Sequence, residues 1–429
     1  MFRHLYNLLL PGVAAMAAPF WLLKTRKRGG LSQRLWEKLS LYHAESPPPT
    51  QGVIYLHAVS VGEANIALKL VQRWHERDPS QHFLLALGTS TGFDHAKASA
   101  GEYLQVLYAP LDFPASVSAM LDRYEPKLIV LIEHEVWPNL IYETSRRGIP
   151  VALANARLSP RSGRRLAKLR PLLGQTYEPL AWVGAQVEDD VERLAAIGIR
   201  PATIAVTGSI KFDPATTTPV VGRFDPRPFL SAIGGGPVLM ALSTHPGEER
   251  LFAQAASQVQ GARVVIIPRH MERRGEIEQE LREDGHAVRL RSRMDPSERK
   301  EGILVVDSTG EMPAFTTQAR VVFVGKSLLA HGGQNPCEAI AAGVPVVAGP
   351  HLENFEPLAE QLREVEGIAT VNTVAELSAQ LRILSTDTAK AATMTTAAQS
   401  VLEQHKGATD RTIDGLQKLL PNLPAAHHR

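Results

Sequence analysis

The sequence predicts an α/β protein with two doubly wound domains that face one another across a cleft. The chain has 429 residues, which is more than one such domain usually contains. Short apolar runs alternate with segments of helical periodicity, a pattern typical of a parallel sheet covered on both faces. The alternation stops at residues 213–228, which are rich in Pro, Thr and Gly. We therefore predict a first domain at 29–212, a linker at 213–228 and a second domain at 229–429.

Each predicted element follows from local pattern. The predicted strands are residues 53–59, 83–87, 104–108, 128–132, 151–154 and 181–184, then 238–242, 263–267, 303–306, 321–324 and 344–347. After the first strand, Ala67, Leu70, Val71 and Trp74 recur at helical spacing. Residues 389–420 favour helix, and this last helix is a candidate to pack back on the first domain. Because ligands of such sheets bind outside the carboxyl ends of the strands, we expect the site in the strand-to-helix loops.

Residues 1–28 are predicted to form a membrane anchor helix with a basic flank. The chain is apolar over 5–23 except for Tyr6 and Asn7, and the basic run 24–28 follows directly. The apolar stretch is borderline between a span and an interfacial helix. Heavier positive charge after the stretch places the rest of the chain in the cytoplasm. A buried core helix is the alternative interpretation.

Composition excludes several classes of protein. The chain has 46 basic and 44 acidic side chains, so its net charge of +2 does not indicate nucleic-acid binding. One cysteine, Cys337, excludes an internal disulfide and a Cys-rich metal site. No Gly-x-Gly-x-x-Gly follows the first strand, so a dinucleotide-dependent dehydrogenase is poorly supported.

Three charged side chains follow strands of the first half. Glu63 either complements a helix dipole or takes a proton from an acceptor hydroxyl. Glu133 begins the run Glu133-His134-Glu135, where two carboxylates are costly to bury without partners. A metal site there is conceivable, but adjacent strand residues point to opposite faces. Lys211, just before the linker, is either a solvated lysine or a cation that neutralises a leaving phosphate.

The second half carries a nucleotide-sugar pattern. The Gly332-Gly333 pair, after a strand, allows close approach of the backbone to a phosphate. Glu338, early in the next helix, is suited to accept hydrogen bonds from both ribose hydroxyls. Arg269, at another strand end, is suited to bidentate phosphate or carboxylate contact, although a solvated arginine is equally compatible with the sequence.

Taken together, these motifs resemble the 3-deoxy-D-manno-octulosonic acid (Kdo) transferases of lipopolysaccharide synthesis. The similarity extends from the N-terminal segment to the last helix. The matching runs are 60–63, 133–139, 155–159, 211–213, 243–248, 268–270, 310–311, 335–338 and 349–355.

The resemblance implies a GT-B type fold of two Rossmann-like domains and an inverting transfer of Kdo from CMP-Kdo to a lipid A precursor (lipid IVA-like). It implies that Glu63 is the general base and that Glu133 and Lys211 stabilise the transition state. CMP would be held by Pro268, Arg269, Gly310, Glu311, Met312, Asn335, Pro336, Cys337 and Glu338. No metal or other cofactor is expected. The expected location is the cytoplasmic face of the cell inner membrane, with the membrane surface as a partner.

The chain departs from the family's typical residues at a few positions, which leaves open the exact acceptor and the number of Kdo units added. The departures are His134, Ser209, Met271, Lys326, Gln334 and Cys337, and typical members have Gly at position 326. Two alternatives remain: a transferase or epimerase of the same architecture that uses a UDP-sugar, and a non-catalytic membrane-bound nucleotide or sugar sensor.

Overall fold

The computed structural model describes residues 2–27, 33–44, 46–213 and 224–420. The chain forms two compact units, one of Met1–Thr216 with Gly407–Arg429 and one of Thr217–Lys406. Each unit contains one seven-stranded sheet in which all paired strands are parallel. This confirms the prediction of two parallel-sheet α/β domains. Most of the predicted linker, residues 214–223, lies outside the described residues.

The sheet of the first unit has the order β3-β2-β1-β4-β5-β6-β7. Its strands are β1 (Ile54–Ala58), β2 (Phe83–Leu87), β3 (Leu104–Tyr108), β4 (Leu128–Ile132), β5 (Val151–Ala156), β6 (Trp182–Ala185) and β7 (Ile204–Val206). β1, β2 and β4 are buried along their whole length, as expected of central parallel strands. The order reverses between β1 and β4, which makes this edge of the sheet a natural position for a ligand.

Helices cover both faces of this sheet. They are α2 (Val61–Arg77), α3 (Ser90–Ala98), α4 (Pro114–Tyr124), α5 (Pro138–Arg146), α6 (Pro160–Lys168), α7 (Arg170–Tyr177) and α8 (Glu188–Ala196). The predicted helical spacing after β1 is confirmed, because Ala67, Leu70, Val71 and Trp74 are all buried in α2. α2 begins directly after β1, so its N-terminus lies at the carboxyl end of the sheet.

The second unit repeats the architecture with the order β10-β11-β9-β8-β12-β13-β14. Its strands are β8 (Val238–Thr244), β9 (Arg263–Pro268), β10 (Val288–Leu290), β11 (Ile303–Val305), β12 (Val321–Val324), β13 (Val346–Ala348) and β14 (Ala369–Thr370). Its helices are α9 (Arg227–Ala232), α10 (Glu248–Ala256), α11 (Arg274–Glu283), α12 (Met312–Thr316), α13 (Cys337–Ala341), α14 (Leu358–Glu364), α15 (Val374–Thr386) and α16 (Thr388–Glu403).

The last helix, α17 (Ala408–Gln417), belongs to the first unit. Asp410 on α17 accepts two hydrogen bonds from Arg73 of α2, at 2.9 and 3.0 Å. Ile413 and Leu416 are fully buried in the core beneath α2. The chain therefore leaves the second unit at its C-terminal end and returns to the first.

The N-terminal helix, α1 (Phe2–Lys27), contacts the first unit through its polar residues. Arg3 donates a hydrogen bond to Asn139 at 3.0 Å, and its guanidinium lies over the Tyr142 ring. Asn139 in turn donates to Asn7 at 2.6 Å. Among the described residues, no helix combines the length and the apolar character that a membrane crossing needs.

Candidate active site

Glu63 occupies the first turn of α2 and is fixed at both carboxylate oxygens. Ser60 caps the helix, since its hydroxyl accepts the Glu63 N–H at 3.2 Å. That hydroxyl also donates to Glu63 Oε1 at 2.9 Å, and the Val59 N–H donates to Oε2 at 2.7 Å. This reciprocal arrangement is a variant of the capping box in which the glutamate accepts the N–H of the residue before the cap. It holds a half-buried carboxylate in one orientation at the carboxyl end of β1.

Glu133 follows β4, at the neighbouring strand end. Its φ of 58° places it in the left-handed region, and its N–H donates to Ala154 O at 3.0 Å. Burial and the nearby Glu63 carboxylate raise the pKa of Glu133, whereas Arg157 and Lys211 oppose this rise. The structure therefore brings Glu63, Glu133 and Lys211, which lie far apart in the sequence, within electrostatic reach of one another.

Asn155 positions the turn that carries Lys211. Its side chain is buried, and Oδ1 accepts the Ile210 N–H at 2.9 Å. Its Nδ2 donates to Glu133 Oε1 at 3.5 Å, so one amide connects the ends of β4 and β5 with the 3₁₀ turn Ile210–Phe212. The sequence pattern alone assigns no role to Asn155 or Arg157, although both lie in one of the runs that match the family. The available signal was the appearance of polar residues at the end of an otherwise apolar strand.

Glu135 is a third carboxylate in this group that sequence analysis left without a role. Burial, followed by the Glu63 carboxylate, raises its pKa to about 7. The Trp137 indole donates to Glu135 Oε2 at 2.9 Å. Three carboxylates, two cations and a buried amide thus meet at the carboxyl ends of the strands. Such an arrangement can hold a proton and stabilise charge of either sign.

In the second unit, two buried carboxylates shape the strand-end loops. Glu248 accepts the backbone N–H groups of Lys326 and Ser327 at 2.7 and 3.2 Å. Glu249 accepts hydrogen bonds from Thr244 and Arg273, both at 2.8 Å, and burial raises its pKa. Both carboxylates are fully buried at the start of α10. Glu248 fixes the loop after β12 to the start of α10, and Glu249 does the same for the turn after β9.

The residues expected to hold CMP follow three strands of this sheet. Pro268 ends β9 and is followed by the exposed Arg269. Gly310 adopts a φ of 83° before Glu311, whose Oε1 accepts from Arg291 at 2.8 Å. Met312 begins α12. Because β11, β9, β8 and β12 are neighbours, these residues lie at one edge of the sheet.

The run from Asn335 to Glu338 forms the turn into α13. Asn335 Oδ1 accepts the Cys337 N–H at 3.0 Å, while Pro336 and Cys337 are buried. Glu338 lies half-buried in the first turn of the helix. The nine expected CMP ligands thus belong to the second unit, and Glu63, Glu133 and Lys211 belong to the first.

The fold is that of GT-B type glycosyltransferases and sugar-nucleotide epimerases. The calicheamicin glycosyltransferase CalG4 matches with a TM-score of 0.52 at 15% identity, covering 87% of this chain and 99% of that chain. The UDP-GlcNAc 2-epimerase of Neisseria meningitidis, bound to UDP-GlcNAc, matches with a TM-score of 0.54 at 12% identity, covering 86% and 100%. At these identities the likeness shows the fold alone.

Sequence comparison is more specific. Residues 33–214 match the family profile described as 3-deoxy-D-manno-octulosonic-acid transferase (kdotransferase). The 3-deoxy-D-manno-octulosonic acid transferase of Haemophilus influenzae is 31% identical over 425 residues, covering 98% of this chain and 99% of the relative. That of Bordetella pertussis is 33% identical over 437 residues, covering 98% and 100%. The chain belongs to the Kdo transferase family and is a glycosyltransferase.

Proposed function

We propose that this protein transfers Kdo from CMP-Kdo to a lipid A precursor during lipopolysaccharide synthesis, with inversion at the sugar. Family membership supports the donor and the reaction. The observation that carries the assignment of roles is the meeting of Glu63, Glu133 and Lys211 at the strand ends of the first unit. These side chains supply a base and two charges of opposite sign.

Glu63 acts as the general base. Inversion requires one base, on the acceptor side, opposite the departing phosphate. The capping box leaves Glu63 little rotational freedom, so its carboxylate is held in position before the acceptor hydroxyl arrives. General-base catalysis of this kind contributes about 10²- to 10⁴-fold to rate.

Glu133 and Lys211 stabilise the charges that develop in the transition state. Breaking the sugar–phosphate bond builds positive charge on the sugar ring and negative charge on CMP. A carboxylate suits the first and an ammonium group suits the second. Asn155 is a positioning residue for both, because it bonds Glu133 and the turn that carries Lys211.

The second unit holds the nucleotide. Arg269 is exposed at the end of β9 and is suited to the phosphate, while Glu338 is suited to the ribose hydroxyls. Glu311 is oriented by Arg291 and Ser308. In this scheme the cations of the chain neutralise the departing phosphate, so the transfer step itself needs no metal.

We further propose that the protein works at the cytoplasmic face of the inner membrane. The side of α1 that faces away from the unit is apolar and exposed at Leu5, Leu8, Leu9, Val13 and Met16. α6 adds a basic surface, since Arg161, Arg164, Arg165 and Lys168 are exposed. An exposed apolar helix face and a cationic surface in the same unit favour an anionic lipid interface and a phosphorylated acceptor.

The test is transfer of Kdo from CMP-Kdo to a tetraacylated lipid A precursor in detergent. We expect Glu63→Gln and Glu63→Ala to lower the transfer rate by about 10²- to 10⁴-fold with unchanged CMP affinity. Glu76→Gln is the matched control, because Glu76 is an exposed acid on the same helix. It should keep wild-type activity.

Two results would contradict the proposal. Wild-type protein that binds CMP but transfers nothing would indicate a different acceptor or a sensor. Protein that ignores CMP and accepts a UDP-sugar would indicate the alternative transferase or epimerase.

A further inference from the structure

The loops after β12 and β13 bring together three metal-ligating side chains that the transfer reaction does not use. His331 Nδ1 lies 3.0 Å from Glu353 Oε1, and His351 Nδ1 lies 3.1 Å from the same oxygen. The two imidazole rings are 3.9 Å apart between centroids. One ligand atom from each of the three side chains lies within 4.8 Å of the others.

The backbone of the two loops holds these ligands in place. The Gly332 N–H donates to Glu353 Oε2 at 2.6 Å, and the Asn354 N–H donates to Gly332 O at 3.0 Å. The His351 N–H donates to Ser327 O, also at 3.0 Å. His351 therefore takes part in a hydrogen bond between the two loops. His331 directly precedes Gly332, which takes part in two such bonds. The set is held before any ion arrives.

Gly333 explains how the loops approach so closely. Its φ is 68°, and a Cβ at this position would lie 2.5 Å from Leu352 Cδ2 and 2.7 Å from His351 O. Any other residue would push the loop that carries His331 away from the loop that carries His351 and Glu353. The glycine pair that sequence analysis linked to phosphate approach thus also permits this cluster.

We infer that His331, His351 and Glu353 form a binding site for one divalent transition-metal ion of the zinc class. Two imidazoles and one carboxylate form a ligand set preferred by Zn²⁺ and its neighbours over Mg²⁺ or Ca²⁺. Three protein ligands leave at least one coordination position open. The His331 side chain is 80% exposed, so an ion can enter from solvent.

A bound ion would fix the loop that leads into α13 to the loop that follows β13. The ligands belong to the second unit and include none of the residues proposed for catalysis. The inference therefore stands apart from the proposed function. It departs from the expectation of a metal-free protein because His331 and Glu353 are 22 positions apart and meet only through the fold.

The experiment is titration of the full-length chain with Zn²⁺ by calorimetry and with Co²⁺ by visible absorption. All proteins carry His427→Ala and His428→Ala, because these adjacent histidines are also ligands for such ions. The variants are His331→Ala, His351→Ala and Glu353→Gln. The glutamine keeps an oxygen for the Gly332 N–H, and circular dichroism checks that each variant is folded. His82→Ala, which removes an exposed histidine of the first unit, is the matched control.

We expect one Zn²⁺ per chain, ligand-field bands for bound Co²⁺ and a higher melting temperature with metal. Each cluster variant should weaken binding by more than about tenfold, since even outer-shell changes cost 10- to 100-fold. His82→Ala should bind like its parent. If the folded cluster variants bind Zn²⁺ as tightly as the parent, or the parent binds none, the site does not exist and Glu353 only bridges two histidines.

Discussion

At the residue scale, the strand ends share an unusual backbone conformation. Four non-glycine residues there have positive φ: Glu133 at 58°, Asn155 at 57°, Ser243 at 51° and Lys326 at 55°. Such conformations are costly away from glycine and concentrate at functional sites. Of the four, only Asn is a type that commonly adopts this region, so the sequence did not predict the others. The charged groups were predictable; the backbone that orients them was not.

Lys326→Gly should stabilise the protein. Relief of left-handed strain is worth about 1–2 kcal/mol, and the additional entropy that Gly loses costs about 0.5–1 kcal/mol. The free energy of unfolding should therefore rise by about 0.5–1 kcal/mol. Urea unfolding measures this, with Lys326→Ala as the control because it keeps the strain. If Lys326→Gly were less stable than Lys326→Ala by about 0.5–1 kcal/mol, the conformation would not be strained, because only the entropic cost of glycine would remain.

Glu135 should make stability depend on pH. Its pKa in the folded protein is about 7, against 4.5 for an ordinary glutamate. Between these values the folded state binds more protons than the unfolded state, so the free energy of unfolding falls as pH rises. Glu135→Gln cannot ionise, and its melting temperature should fall less between pH 5 and 7. Glu76→Gln should keep the wild-type dependence of melting temperature on pH. Glu135→Gln would also keep it if the Glu135 carboxyl had an ordinary pKa.

At the scale of elements, the predicted strands were found and the short edge strands were missed. β7, β10 and β14 each contain at least one residue that is not buried, whereas β11 and β13 are also short but are buried throughout and were predicted. β7 is also exposed at Val206, so it lacks the apolar run of a central strand. Apolar patterning predicts what the core buries, and these strands lie at or next to sheet edges.

The partners of the site residues were harder to predict than the site residues themselves. Glu63 and Lys211 could be placed at strand ends from the sequence. The role of Asn155 depends on hydrogen bonds to Glu133 and Ile210, residues 22 and 55 positions away. Such contacts follow from the strand order β1-β4-β5 and not from local pattern.

The exposed face of α1 should carry membrane binding. Leu8 and Met16 are each 77% exposed, on the side opposite Arg3 and Asn7. Inserting a leucine-sized side chain is worth about 1.5–3 kcal/mol. Leu8→Ser with Met16→Ser should therefore reduce sedimentation with anionic vesicles by at least about tenfold. Val365→Ser, an exposed apolar residue of the second unit, should have no effect. Unchanged binding of the double variant would rule out this face as the anchor.

At the scale of the whole molecule, the chain crosses between its units twice, near Thr216 and near Lys406. The Asp213 carboxylate joins the two crossing points within the first unit. Its oxygens accept the N–H groups of Gly407 and Thr409, both at 2.9 Å. The residues are almost 200 positions apart, so no sequence pattern predicts the pair. One buried side chain thus holds the departing and the returning chain together.

Asp213→Ala should destabilise the first unit through the loss of this connection. Removing a carboxylate cap costs about 1–2 kcal/mol, and a buried N–H left without a partner costs about 1–3 kcal/mol. We expect the free energy of unfolding to fall by about 2–3 kcal/mol in urea, with faster proteolytic release of α17. Asp213→Asn keeps one acceptor oxygen and should be intermediate. Asp225→Ala, which removes an exposed aspartate paired with Arg227, is the control. If Asp213→Ala is as stable as that control, α17 is held by the burial of Ile413 and Leu416 and not by the carboxylate.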